Sequence, residues 1–151
     1  MASKYSQIPR LVDSSVWIRA DRRRNEAVRN RLVALIGGGL TSICWPIHAE
    51  LLVGVGDERQ RKSLDERLSA LDHIPVGEQT WSHAAEIGWR LSRLSQSVPM
   101  LDLVIAAVAI ESNLILWTVD TDFKRVAATA PLRLDLFGLE QYGVSGARSP
   151  H

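Results

Sequence analysis

The chain has one cysteine, Cys44, so it can form no internal disulfide, and a reducing, cytoplasmic setting is expected. Its longest unbroken apolar run, Leu103 to Ile110, falls far short of the roughly 20 residues a helix needs to span a bilayer. A membrane segment is therefore not expected. Met1 to Arg10 carries one lysine and no apolar stretch, which gives no sign of a secretory leader. The four histidines, His48, His73, His83 and His151, are scattered, and none stands at zinc-ligand spacing from Cys44. Gly37-Gly38-Gly39 is not followed by Gly-Lys-Ser/Thr, so it is no phosphate loop. A hydrolase triad built on Ser14 would want a Gly-x-Ser-x-Gly elbow, which is missing.

The 151 residues, 46% of them hydrophobic, suffice for one domain with a substantial core. It is expected over 8–143, between tails at 1–7 and 144–151. Net charge is +1, yet the N-terminal half is basic and the C-terminal half acidic. Arginine supplies most of the positive charge, with Arg19, Arg22, Arg23, Arg24, Arg29 and Arg31 close together. A guanidinium fork matches phosphate oxygens, which suits a nucleic-acid substrate. A solvated helix face would look the same.

Arg10-Leu11-Val12 reads as a strand ending at Asp13, with a helix after Ser14-Ser15. Apolar residues between Asn25 and Ile36 recur at helical spacing until the three glycines stop them. Leu40–Cys44 reads as a second strand, and Pro46 opens a helix that Gly54 ends. Helices are expected over Asp57–Leu71 and Gly77–Ser97. Another follows Pro99, and its interior is apolar on every side and hence buried. Further strands are expected at His73–Val76, Leu114–Val119 and Leu132–Leu136. Alternating strands and helices imply a parallel sheet covered by helices, with any ligand site beyond the carboxyl ends of the strands.

Four acids fall at that edge. Asp13 follows the first strand, Asp120 follows the strand 114–119, Asp102 lies in the first turn of the buried helix, and Glu50 lies about one turn into its helix. Each has an ordinary role open to it: Asp13 or Asp102 as a helix cap, Asp120-Thr121-Asp122 as a turn. Glu50 stands among apolar neighbours, where a lone acid is rare. Together, carboxylates in one cleft repel, and raised pKa values or a bound cation relieve that. An oxygen-only donor set favours Mg2+ or Mn2+ over zinc, and such ions serve phosphodiester chemistry.

Val12-Asp13-Ser14-Ser15, Ala49-Glu50-Leu51-Leu52-Val53-Gly54, Asp102-Leu103-Val104-Ile105-Ala106-Ala107-Val108-Ala109 and Thr118-Val119-Asp120-Thr121-Asp122-Phe123 resemble, in order, the four motifs of PIN domains of the VapC group. The resemblance covers roughly Arg10 to Gly138. It implies a three-layer α/β/α sandwich around a short, mainly parallel sheet. It further implies Mg2+-dependent endoribonuclease activity, with Mn2+ able to substitute, leaving 5′-phosphate and 3′-hydroxyl ends. By the same resemblance Asp13, Glu50, Asp102 and Asp120 are the metal-binding and catalytic acids. Ser14 and Thr118 are auxiliary hydroxyls, and Asp122 assists or replaces Asp120. Arg19, Arg22, Arg23 and Arg24 are candidates for tracking RNA. The implied setting is a toxin–antitoxin pair: a homodimeric toxin in a higher assembly with a VapB-like antitoxin. Trp45-Pro46 and His48 depart from the usual residues before the Glu motif and bear on groove shape.

Two rivals are a receiver-like signalling module and a non-catalytic PIN-like scaffold. A receiver wants adjacent acids after its first strand and a lysine after a late one, whereas Asp13 stands alone and Lys124 is four residues past Asp120. The intact four acids speak against a scaffold. The tryptophans fit mostly core positions, while Trp17 and Trp45, beside cleft motifs, could line a groove for RNA or for a protein partner.

Overall fold

The computed structural model describes residues 7–139. The expected tails therefore lie outside the described residues, apart from Gln7. Five short strands form a parallel sheet: β1 (Arg10–Val12), β2 (Thr41–Ile43), β3 (Asp72–His73), β4 (Ile115–Trp117) and β5 (Leu134–Asp135), in the order β3-β2-β1-β4-β5. Seven helices connect and cover them: α1 (Ser14–Ala20), α2 (Glu26–Gly37), α3 (Trp45–Val53), α4 (Glu58–Ser69), α5 (Glu78–Arg93), α6 (Met100–Glu111) and α7 (Asp122–Thr129). None of the described helices is long and apolar enough to cross a membrane.

The alternation of side chains along a strand separates two cores. Leu11 and Leu116 join a large cluster with α3 to α7, while Val12 and Trp117 join Val16, Ala20, Val28 and Leu32 of α1 and α2. Helix α6 is the central member of the first cluster, with Leu103 to Ala109 all buried, as expected from a helix apolar all round. Gly88 lets α5 approach it closely, since a Cβ there would come within 2.8 Å of Leu103 Cδ1.

Local signals fix several boundaries. Gly39 adopts φ +69°, and the amides of Gly39 and Leu40 donate to Ile36 and Leu35, closing α2 in a Schellman turn. The strands are shorter than the sequence patterns suggest. Beyond β4, for example, the Thr118 amide still donates to the Asp135 carbonyl, whereas the Val119 amide turns to Ser15 Oγ.

Topology positions the site. From β1 the chain moves to β2 on one side, and from β4 to β5 on the other. The crevice between the carboxyl ends of β1 and β4 is thus the switch point of the sheet, where ligands of open α/β folds bind.

Candidate active site

Val12 pairs with Trp117, which places the residues just beyond them, Asp13 and Thr118, side by side. The Asp13 amide donates to the Trp117 carbonyl at 2.9 Å. Asp13 is only 4% exposed, and its Oδ2 accepts hydrogen bonds from Ser15 Oγ (2.6 Å) and Thr118 Oγ1 (2.9 Å). Burial pushes its carboxyl above the usual range, against those hydroxyls and the nearby amides of Ser15 and Ser14, which favour the charge. Asp13 occupies the N-cap position of α1 but makes no side-chain capping bond. The capping role open to it in the sequence is not the one its side chain plays.

Thr118, fully buried, also accepts the Asp120 amide at 3.0 Å. Ser15 Oγ in turn accepts the Val119 amide at 3.2 Å. The short turn after β4 is thereby fixed to the start of α1. Asp120 Oδ1 accepts the Asp122 amide at 2.9 Å, so the expected turn is real and coexists with the acidic cluster. Asp102 is the third residue of α6, after Pro99 at the N-cap, and no side chain caps that helix.

Carboxylate oxygens of Asp102, Asp120 and Asp122 all lie within 4.8 Å of one another. Glu50 enters from α3, with its Oε2 accepting Ser14 Oγ at 2.8 Å. Asp102 feels all of these groups. Its carboxyl is pushed up to about 7, by burial first and then by the charges of Asp13, Asp120, Glu50 and Asp122. Asp122 is also paired with Arg125 at 3.1 Å, which offsets part of its charge.

The donor set fits a hard divalent cation. Every donor in the cluster is oxygen, and the mutual repulsion that raises the Asp102 carboxyl is what a cation would relieve. Thiolate ligation is disfavoured, because burial pushes the Cys44 thiol up to about 12, with Asp13 and Glu50 adding to the shift against the Ile47 amide.

The PIN domain family model matches residues 10–129, a span containing all five acids. The chain belongs to the PIN-domain family. It is 33% identical over 121 residues to ribonuclease VapC18 of Mycobacterium tuberculosis, covering 78% of this chain and 86% of that relative. Ribonuclease VapC21 of the same species matches to the same extent. The crystal structure of VapBC2 from Rickettsia felis, bound to a DNA fragment from its promoter, superimposes with a TM-score of 0.71 at 24% identity, covering 85% of this chain and 98% of that one.

Within this PIN domain three hydroxyls, of Ser14, Thr118 and Ser15, hold acids. Ser14 holds Glu50, and the unforeseen Ser15 holds Asp13. The only sequence sign of Ser15 was its place in the same motif. The arginines divide. Arg29 donates to the carbonyls of Ala20 and Arg22. Arg31 binds Asp135 through two nitrogens and lies over the rings of Trp117 and Phe137. Arg19 reaches the Gly138 carbonyl at 3.4 Å. Arg22, Arg23 and Arg24 are exposed between α1 and α2.

Two of the scattered histidines meet. His48, with no exposed surface, has Nδ1 at 2.9 Å from His73 Nε2 and Nε2 at 2.7 Å from Asp65 Oδ1. The Trp45 ring stacks on His48, with centroids 4.3 Å apart and planes inclined by 13°. No spacing rule finds this network. Its parts stand 17 and 25 residues apart and are assembled by α3, α4 and β3.

Proposed function

We propose that this PIN-domain protein is a metal-dependent endoribonuclease and the toxin of a toxin–antitoxin pair. The observation that carries the proposal is the convergence of four other carboxylates, Asp13, Glu50, Asp120 and Asp122, on Asp102, whose carboxyl is raised to about 7. Asp13, Glu50, Asp102 and Asp120 would hold Mg2+, or Mn2+ in its place, with Asp122 assisting. When bound, the ion supplies Lewis acidity toward a phosphodiester and lowers the pKa of water.

The chain's own groups provide the frame. Thr118 and Ser15 orient Asp13 and favour its charged form, and Ser14 fixes the Glu50 oxygen it donates to. Arg22, Arg23 and Arg24 lie exposed where they can track an RNA backbone, with Arg19 at the end of α1 beside them. Support for RNA as substrate comes from the relatives, which are named ribonucleases. Support for an antitoxin comes from neighbours described as VapBC complexes. A homodimeric toxin in the cytoplasm, with one PIN unit over 8–143, completes the proposal.

The test is to sequence RNA 5′ ends after expression of the wild type and of Asp13→Asn. New ends are expected with the wild type alone, and purified protein should lose cleavage in EDTA and regain it with Mg2+. Equal cleavage by both proteins, or cleavage undiminished in excess EDTA, would overturn the proposal.

A further inference from the structure

A groove of about 600 Å3 opens beside the acids, walled by Trp45, Glu50, Val53, Val76, Trp81 and Leu101 among others. Glu50 belongs both to this wall and to the carboxylate cluster, so the groove is a continuation of the cleft. Both tryptophans present surface there, Trp45 being 58% exposed and Trp81 46%. Such exposure of two large rings at one concavity is uncommon unless something covers them.

Trp45 is held unusually firmly for an exposed side chain. One of its faces rests on His48, and His48 is fixed at both ring nitrogens by His73 and Asp65. The buried histidine network therefore acts as the back of a flat platform that keeps more than half of its surface exposed. A platform immobilised in advance loses little conformational freedom when a ring stacks on it.

We propose that this groove is a stacking subsite for one unpaired nucleobase of the RNA, beside the phosphate placed at the acids. This rests on the nuclease reading of the cleft. Among the described residues Glu50 is the only charged one of the wall, so recognition falls on the π-face of the base rather than on its edges. Stacking of that kind tolerates any base and favours purines, which have the larger face. Continuity with the acids favours RNA over a protein segment as occupant. A strand with one phosphate at the carboxylates has its adjacent base within reach of the groove.

The test uses labelled single-stranded hexaribonucleotides, oligo(A) and oligo(U), with the Asp13→Asn protein in Mg2+ so that binding is read without cleavage. Oligo(A) should bind more tightly than oligo(U). Trp45→Ala should weaken oligo(A) binding roughly 5- to 150-fold, the range expected for one base stacked on an aromatic ring. Trp45→Phe should keep most of the affinity. An abasic ribose walked along oligo(A) should weaken binding at one register only, in protein whose tryptophans are intact. That penalty should vanish in Trp45→Ala.

No register dependence in the abasic series, or full RNA affinity in folded Trp45→Ala and Trp81→Ala proteins, would overturn the inference while leaving the nuclease reading standing. Loss of binding to a purified antitoxin by Trp45→Ala, with RNA affinity unchanged, would assign the groove to the protein partner and overturn it too. Failure of the wild type to bind or cleave RNA at all would defeat the nuclease reading itself, and the subsite with it.

Discussion

Thr118 Oγ1 donates to Asp13 Oδ2 at 2.9 Å across 105 residues of chain, and the same oxygen accepts the Asp120 amide. One buried hydroxyl thus connects the acid after β1 with the acid after β4, and does so with both its donor and an acceptor site in use. Replacing it by Val preserves shape and branching but leaves a buried carboxylate and an amide without that partner. Thr118→Val should lower stability by about 1–3 kcal/mol in urea unfolding. It should also raise the Mg2+ concentration needed for half-maximal cleavage, because Asp13 becomes harder to ionise. Thr118→Ser should stay near the wild type. Wild-type stability and Mg2+ dependence in the Val protein would show that the bond is dispensable.

Asp102 gives a pH prediction with a definite sign. Its carboxyl titrates at about 7 in the fold against 3.8 for an ordinary aspartate. Between those values the folded protein holds the extra proton, so the metal-free protein should lose stability as pH rises through that window. Added Mg2+ should reverse the trend, since its affinity grows as Asp102 ionises. Asp102→Asn removes the charge at fixed size, so it should raise the melting temperature of the EDTA-treated protein at pH 8 and abolish cleavage. A melting temperature at pH 8 below that of the wild type in EDTA would contradict the repulsion on which the site is built.

The ion pair of Arg31 with Asp135 makes a separate prediction at low pH. Burial works to raise the Asp135 carboxyl, but the hydrogen bond from Arg31, the Phe137 amide and Arg10 outweigh it and hold the carboxyl below its usual value. This contribution is complete above an ordinary aspartate pKa and fades as pH falls through the lower folded value. Arg31→Lys should destabilise the protein near neutral pH, because an ammonium lacks the two-nitrogen grip on Asp135 and the flat face that lies over Trp117 and Phe137. The difference from wild type should shrink in unfolding curves as pH is taken down through the lowered folded value, where the carboxylate is neutralised. A gap that persists unchanged there would assign the effect to ring packing alone.

Charge reversal at Arg22, Arg23 and Arg24 tests the RNA path without touching the core. If these groups displace counterions from RNA, the triple Glu variant should bind more weakly and show a shallower dependence of log affinity on log salt, by up to about 2 units for three contacts on a single strand. Thermal stability should hardly move. An unchanged slope would leave the three arginines as solvated surface.

The sequence carried the elements of the site because its signals are local. Strand ends, helix starts and their acids follow from period and punctuation, and the rule that ligands bind beyond the strand ends needs only the alternation of elements. Asp13, Glu50, Asp102 and Asp120 could therefore be named before any contact was known. The Gly37-Gly38-Gly39 stop and the buried run 103–109 were legible for the same reason.

What tertiary structure alone decided is which partner each group finds. Val12 pairing with Trp117, rather than a register one residue away, is what sets Thr118 and Ser15 on Asp13 and leaves Ser14 for Glu50. The same dependence explains why Arg31 is tied to Asp135 while Arg22 to Arg24 stay exposed. It also explains why His48 and His73, remote in sequence, come to support Trp45. Periodicity records which face of an element is apolar. It does not record strand order or register, and hydrogen bonds between side chains far apart in sequence depend on both.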